Sequence, residues 1–311
     1  MPKEITLKNL LLKIQKILKY SGKMLKKLIN LEGTTKPCPQ KTVSSNGDIL
    51  MEPSDIANES NSQFSKIVPK LAKTISSVDG GLRFQHSCSS SFYLYETSEN
   101  EVMFLIENLS EGKAQQHHDI PTKFIKLSKL VSSYFYTFIF THLFLLAPII
   151  THLFNRCINE GSYPDCFKIA QITPVYKSAD QRTCNNYRPI SILLQFNKIV
   201  EKILHTRVYA YLQEFNLLSN YQYYFKPKSA TAFAVENIYS NLLINRENGL
   251  YTCSIFLDLS KAFDTVNHDI LLQKLQFYFG IRGIPLQLFS NYLLNRKKYV
   301  INRNTSLKNL V

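Results

Sequence analysis

Three things are scarce in this 311-residue sequence: paired cysteines, acidic residues and a cleavable leader. Its six cysteines, Cys38, Cys88, Cys157, Cys166, Cys184 and Cys253, show no C-x-x-C pair and no Cys/His knuckle spacing. That excludes the common zinc-ribbon and zinc-finger spacings and reads as free thiols in a reducing compartment. No signal peptide opens the chain, because lysines interrupt the N-terminal apolar residues. The expected location is intracellular, nucleus or cytoplasm, not secreted. Trp is absent altogether, which decides nothing. Acids number 23 against 37 Lys and Arg, a net charge of +14. Such an excess favours an anionic partner, nucleic acid ahead of a membrane surface.

Charge is also missing locally. Val131 to Phe154 holds no acid, Lys or Arg. By length it is a membrane-span candidate. His142, Pro148, His152 and several Ser and Thr argue instead for a buried helix. The repeat of Thr-His-Leu-Phe at 141–144 and 151–154 suggests an insertion or local duplication within it.

What is present is 45% hydrophobic residues, enough for a real core. Leu7 to Ile29 spaces its apolar residues as a helix, with lysines largely off the stripe; its basic face suits phosphates, a membrane surface or plain solvent. Gly33 to Asp48 reads as a linker. Ser54 to Ile75 reads as a helix. Thr97 or Ser98 reads as the cap of the next one, with Glu101 as capping-box partner. Ile169 to Tyr176 is an apolar strand, followed by a polar loop and Arg188. Ser191 to Leu212 has one apolar helical face. Lys177 and Arg188 on this strand–loop–strand flap suit a triphosphate, Lys as a point charge and Arg as a fork. As ordinary surface and salt-bridge residues they would look the same.

The most informative stretch is Phe256-Leu-Asp-Leu-Ser-Lys-Ala-Phe-Asp-Thr-Val-Asn-His-Asp-Ile-Leu-Leu272. An apolar strand over Thr252–Leu257 would deliver Asp258 at its end, with Phe263 and Asp264 on a short helix. A carboxylate there can hold a hard cation through oxygen, and an aromatic can stack beneath a nucleotide sugar. A helix-capping Asp and a core Phe fit the bare pattern as well.

The segment resembles motif A of the reverse transcriptases of non-LTR (LINE-type, jockey-like) retrotransposons. Ile172-Thr-Pro-Val-Tyr-Lys177, Asn186-Tyr-Arg-Pro-Ile-Ser-Ile-Leu193, Lys198-Ile-Val-Glu-Lys-Ile203 and Gln222-Tyr-Tyr-Phe-Lys-Pro227 resemble the preceding motifs of that family. Gly280-Ile-Arg-Gly283 and Tyr292-Leu-Leu-Asn-Arg296 resemble the following ones. The order and spacing agree over roughly residues 113–303, and more weakly back to about residue 31.

The resemblance implies an α+β polymerase right-hand fold. Residues 1–31 would be the basic amphipathic helix and 32–112 a partly helical connector. Residues 113–250 would be the fingers-like part, and 251–311 a partial RRM-like palm. It implies RNA-directed DNA synthesis with an RNA template, a DNA primer, dNTPs and Mg²⁺. Asp258 would be the catalytic carboxylate, binding metal together with the Leu259 carbonyl. Lys177 and Arg188 would hold the triphosphate, and Phe263 would be the gate against a ribose 2′-hydroxyl.

The sequence departs from the family pattern in several places. Tyr224 stands at a Gly position, Lys226 at an Arg position and Ala230 at a Ser position. Gln115-Gln116 replaces a Pro-Gly turn before Asp119. The Tyr/Phe-Ala-Asp-Asp hairpin and the Gly-x-Pro-Gln-Gly motif do not occur. The expectation is therefore a fragment truncated before the second carboxylate motif and inactive alone. Its residues 251–311 would be the least stable part and would drive aggregation. Two alternatives stand beside it: a noncatalytic nucleic-acid-binding remnant, and a membrane-attached fragment resting on residues 131–154.

Overall fold

The computed structural model describes residues 39, 41–44, 46–74, 88–110, 115–116, 119–120, 122–127, 146–227, 229–259 and 261–300. The basic stripe of 7–29, His117, His118, residues 131–145 of the apolar run and residues 301–303 lie outside them.

Helical periodicity becomes buried stripes. In α4 (Leu146–Glu160) the buried residues are Ile150, Leu153, Phe154, Cys157 and Ile158, one face of a helix. The described part of the charge-free run is thus a buried helix. Among the described residues no helix is long and apolar enough to cross a membrane. In α5 (Gln195–Glu214) the stripe is Phe196, Ile199, Val200, Ile203, Leu204 and Tyr211. The predicted helix begins at 195 rather than 191, because Ser191 and Ile192 end a strand. Both stripes meet α2 (Glu99–Glu107), through Val102 and Ile106, and α8 (Gly283–Leu293), through Leu288. The short α3 (Thr122–Leu127) adds Ile125.

The strand β3 (Ile169–Tyr176) forms where it was predicted. It pairs antiparallel with β4 (Tyr187–Ile192) and parallel with β5 (Lys297–Val300), so β3 is central. Ala170, Ile172 and Pro174 alternate inward along it. That face lies on α1 (Pro53–Thr74), with Ala57, Phe64, Ile172, Tyr187 and Val300 as a second core. Asn61 Oδ1 accepts from Val300 N at 2.9 Å and ties α1 to the end of β5.

Three expectations need correction. Residues 42–50, within and just beyond the predicted linker, form a small hairpin of β1 (Thr42–Val43) and β2 (Ile49–Leu50). Val43 N donates to Arg182 O at 2.9 Å, so this hairpin is docked on the β3–β4 loop. Residues 251–311 are not uniformly loose, because Ile281, Leu288 and Val300 are all at most 1% exposed. Thr252–Leu257 is not a strand: the chain there is unpaired, and Ile255, Phe256 and Leu257 are 80–88% exposed. A strand needs a neighbour for its N–H and C=O groups, and among the described residues none lies beside it. The helices α6 (Thr231–Glu247) and α7 (His268–Phe277) bury no residue.

Candidate functional site: a basic hairpin face and an exposed carboxylate

The β3–β4 hairpin places Lys177 and Arg188 together. The register pairs Val175 with Arg188 and Tyr176 with Tyr187, and Lys177 N donates to Asn186 O at 2.8 Å. Directly opposed residues share a face, and so do residues two apart. Val175, Lys177 and Arg188 therefore lie on one face, with Ile190 two residues further along. That face is open: Lys177 and Arg188 are exposed, Val175 is 38% and Ile190 47% exposed. Neither cation has a side-chain partner among the described residues. The neighbouring Arg182 is engaged, its Nε 3.1 Å from Asp180 Oδ1, and those hydrogen bonds pull the Asp180 carboxyl below its usual range. Two free cations over two exposed aliphatic side chains make a surface for a multiply charged anion.

The hairpin is held at its base as well as at its loop. Gln116 Nε2 donates to Ile169 O at 3.0 Å and to Ile192 O at 2.8 Å, strapping β3 to β4. Asp119 Oδ1 accepts from Ile120 N, and its Oδ2 accepts from Gln195 N at 2.9 Å. A buried carboxylate thus takes one of the orphan donors at the start of α5. Gln116 of the Gln-Gln departure and Asp119 are scaffold.

Asp258 and Phe263 sit elsewhere, on an open limb. Asp258 is exposed, and among the described residues its side chain makes no hydrogen bond or ion pair. Phe263 is 80% exposed. It stands on a turn, not on the predicted helix: Lys261 has φ +52°, and Asp264 N donates back to Lys261 O at 2.8 Å. Its ring meets that of Phe225, with centroids 5.8 Å apart. Positive φ in the 222–227 loop falls on Phe225, at +60°, and not on Tyr224 at the family's Gly position. Among the described residues no hydrogen bond, ion pair or ring contact joins Asp258 or Phe263 to Lys177 or Arg188. A concavity of about 360 Å³ between Phe92, Tyr95, Arg207 and Phe215 lies away from all four.

Residues 175–309 match the sequence profile of the family described as reverse transcriptase (RNA-dependent DNA polymerase). That stretch of the chain is similar to reverse transcriptases. The chain is 26% identical over 159 residues to the probable RNA-directed DNA polymerase from transposon BS of Drosophila melanogaster, covering 49% of this chain and 17% of that protein. It is 29% identical over 138 residues to the RNA-directed DNA polymerase from mobile element jockey of the same fly, covering 44% of this chain and 14% of that protein. A transposon TX1 protein of Xenopus laevis is 31% identical over 133 residues, 43% of this chain and 10% of that protein. The chain thus spans under a fifth of the length of these relatives.

The motif residues of this segment divide by surroundings. Gly280 has φ +64°, and a Cβ there would meet Ser90 O at 2.1 Å. Phe92 N donates to Gly280 O at 3.0 Å, and Arg282 donates to Cys88 O and Ser91 Oγ. The Gly280–Gly283 motif is therefore a dock for residues 88–92. Tyr292 Oη donates to Glu201 Oε1 at 2.7 Å, and Tyr163 Oη donates to Asn197 Oδ1. Burial pushes both phenol pKa values up, so both remain donors.

Magnesium is a different matter. A hard divalent cation wants several oxygen ligands in near-octahedral order. Among the described residues no group of three or more His, Cys, Asp or Glu is arranged to hold a metal. Asp258 and the Leu259 carbonyl do not fit that requirement by themselves.

Two residues escaped the sequence reading. Phe225 was visible only as part of a loop motif, and nothing in spacing announces its contact with Phe263. Arg207 left a signal: a lone cation one helical turn beyond the apolar pair Ile203 and Leu204.

Proposed function

We propose that this segment serves RNA-directed DNA synthesis, with the β3–β4 face as its triphosphate-binding surface. The observation that carries the reading is the pair of unpartnered cations, Lys177 and Arg188, on one open hairpin face in a family whose members act on nucleotides. Lys177 supplies a point charge and Arg188 a planar fork. Phe263 is read as the gate against a 2′-hydroxyl, and RNA template and DNA primer as the partners. Residues 113–250 then correspond to fingers, 251–311 to part of a palm, 32–112 to the connector and 1–31 to its basic helix. Asp258 is the motif carboxylate; because the described donor set does not complete a magnesium site, the chain alone is expected not to polymerise.

Titration with a fluorescent deoxynucleoside triphosphate tests the binding surface. Arg188→Ala should weaken binding about tenfold or more, as loss of a charge-assisted hydrogen bond does, and Lys177→Ala by less. Unchanged affinity in both would sink the assignment. Primer extension on an RNA template tests inactivity: incorporation above an Asp258→Ala control would overturn it.

A second reading rests on the net charge of +14. It is sequence-tolerant nucleic-acid binding without catalysis, and counterion release makes its affinity fall steeply with salt. Anisotropy titrations at several salt concentrations separate it from no binding.

A further inference from the structure

Most exposed rings of the open limb stand apart, but Phe225 and Phe263 meet. They come from two separate turns, are 70% and 80% exposed, and lie with planes at 85°. This is the edge-to-face geometry that the ring quadrupole favours. Both turns hold their shape through left-handed residues, Phe225 at φ +60° and Lys261 at +52°. A bulky residue in that region is uncommon and is held there by its surroundings. Gln222 Nε2 donates to Tyr224 O at 3.0 Å, and the Tyr224 ring packs edge-on to Phe225, 4.4 Å between centroids. On the other side, Thr265 Oγ1 donates to Ala262 O at 3.2 Å and closes the turn that carries Phe263. A perpendicular contact occupies either one face or the edge of a ring, so at least one face of Phe263 stays open.

We infer that Phe225 is a positioning residue: it fixes the orientation of the Phe263 ring, so the 222–227 loop sets how strictly a ribose is excluded. The inference rests on Phe263 acting as the sugar gate, as read above. Removing the Phe225 ring frees Phe263 to rotate, and discrimination between deoxyribo- and ribonucleotides falls by about two- to tenfold.

The test uses the full chain with 4-fluorophenylalanine at position 263, read by fluorine NMR. Phe225→Leu should move the resonance, and Phe225→Tyr, which keeps the ring, should restore it. Both side chains are exposed, so the thermal melt should not change. An unmoved resonance in Phe225→Leu overturns the contact and the inference with it. Titrating dATP and ATP gives the second arm. The deoxynucleotide should move the resonance at lower concentration, and Phe225→Leu should narrow the difference. A difference that persists in Phe225→Leu removes the positioning role alone. If neither nucleotide moves the resonance while Phe225→Leu still does, the sugar-gate reading itself has failed.

Discussion

The body built from α2, α4, α5, α8 and the sheet treats its motifs differently from the limb at 221–266. In the body, motif residues other than the exposed Lys177 and Arg188 of the hairpin find their partners within the chain: Asp119 on α5, Gly280 against Ser90, Tyr292 on Glu201. In the limb, Asp258 has none among the described residues, and α6 leaves Phe233, Ile238 and Tyr239 at least 44% exposed. A motif residue whose groups are satisfied locally is scaffold. One left open at a surface is free for a ligand or another segment. That rule sorts Asp119 from Asp258, which spacing alone treats alike.

The sharpest way to break the comparison is deletion. Residues 251–311 hold both limb and body, since Ile281, Leu288 and Val300 are core. Removing them takes away β5 and the α8 face and should abolish the cooperative unfolding transition. A retained transition, measured by circular dichroism in urea, would mean that the body does not need β5 and α8.

Next in size is Arg207. Its Nη2 lies 2.8 Å from Glu101 Oε2, and its side chain is 1% exposed. It also donates to Tyr95 O and Glu96 O and lies 4.2 Å over the Tyr95 ring. Arg207→Ala strands a carboxylate in a part-buried site and should cost about 3–5 kcal/mol. Asp258→Ala should stay within about 0.5 kcal/mol of the parent. Burial tends to raise the Glu101 pKa, but hydrogen bonds from Arg207 and Thr97 outweigh it and hold the value below the ordinary 4.5. A depressed folded pKa gives stability present above the unfolded value and lost as pH falls through the folded one. Urea midpoints between pH 6 and pH 3 should therefore drop less in Arg207→Ala than in the parent.

Two glycines make a smaller, paired test. Gly280 and Gly249 both have positive φ, +64° and +67°. Alanine at Gly280 meets Ser90 O and Tyr211 Oη, and at Gly249 nothing within 4 Å. Gly280→Ala should cost well above the roughly 1–2 kcal/mol of left-handed strain alone, and Gly249→Ala no more than that strain. Equal effects in melts would erase the distinction between packed body and open limb.

The body was the more legible half in the sequence. The α4 and α5 stripes and the alternation of β3 declare themselves by period, because one buried face forces a 3.6- or 2-residue rhythm. Ser98 was readable as a cap and does accept from Glu101 N at 3.2 Å. Glu101, expected to complete a capping box, goes instead to Thr97 and Arg207. Local rules could not foresee a long-range partner in α5. The strand at 252–257 failed for the same reason: β-propensity is realised only beside a neighbour. Motif resemblance named Lys177 and Arg188, and the register of the hairpin then put them on one face.

The smallest expected effect sharpens the limb itself. Helix α6 starts after Ala230, whose side chain caps nothing, where the family carries Ser. The four N–H groups of a helix start need acceptors, and an Ala-to-Ser change at the cap supplies one. Ala230 already has extended geometry, φ −144° and ψ 158°, as a capping residue requires. Ala230→Ser should therefore stabilise α6 by about 1 kcal/mol without touching the body. Hydrogen exchange reads this directly: amides in the first turns of α6 should slow about fivefold, while those of α5 stay as they were. Because α6 buries nothing, the gain should remain local and leave the global melt unmoved. Slowed exchange across α5 as well would show that limb and body open together, and the division between them would have to be given up.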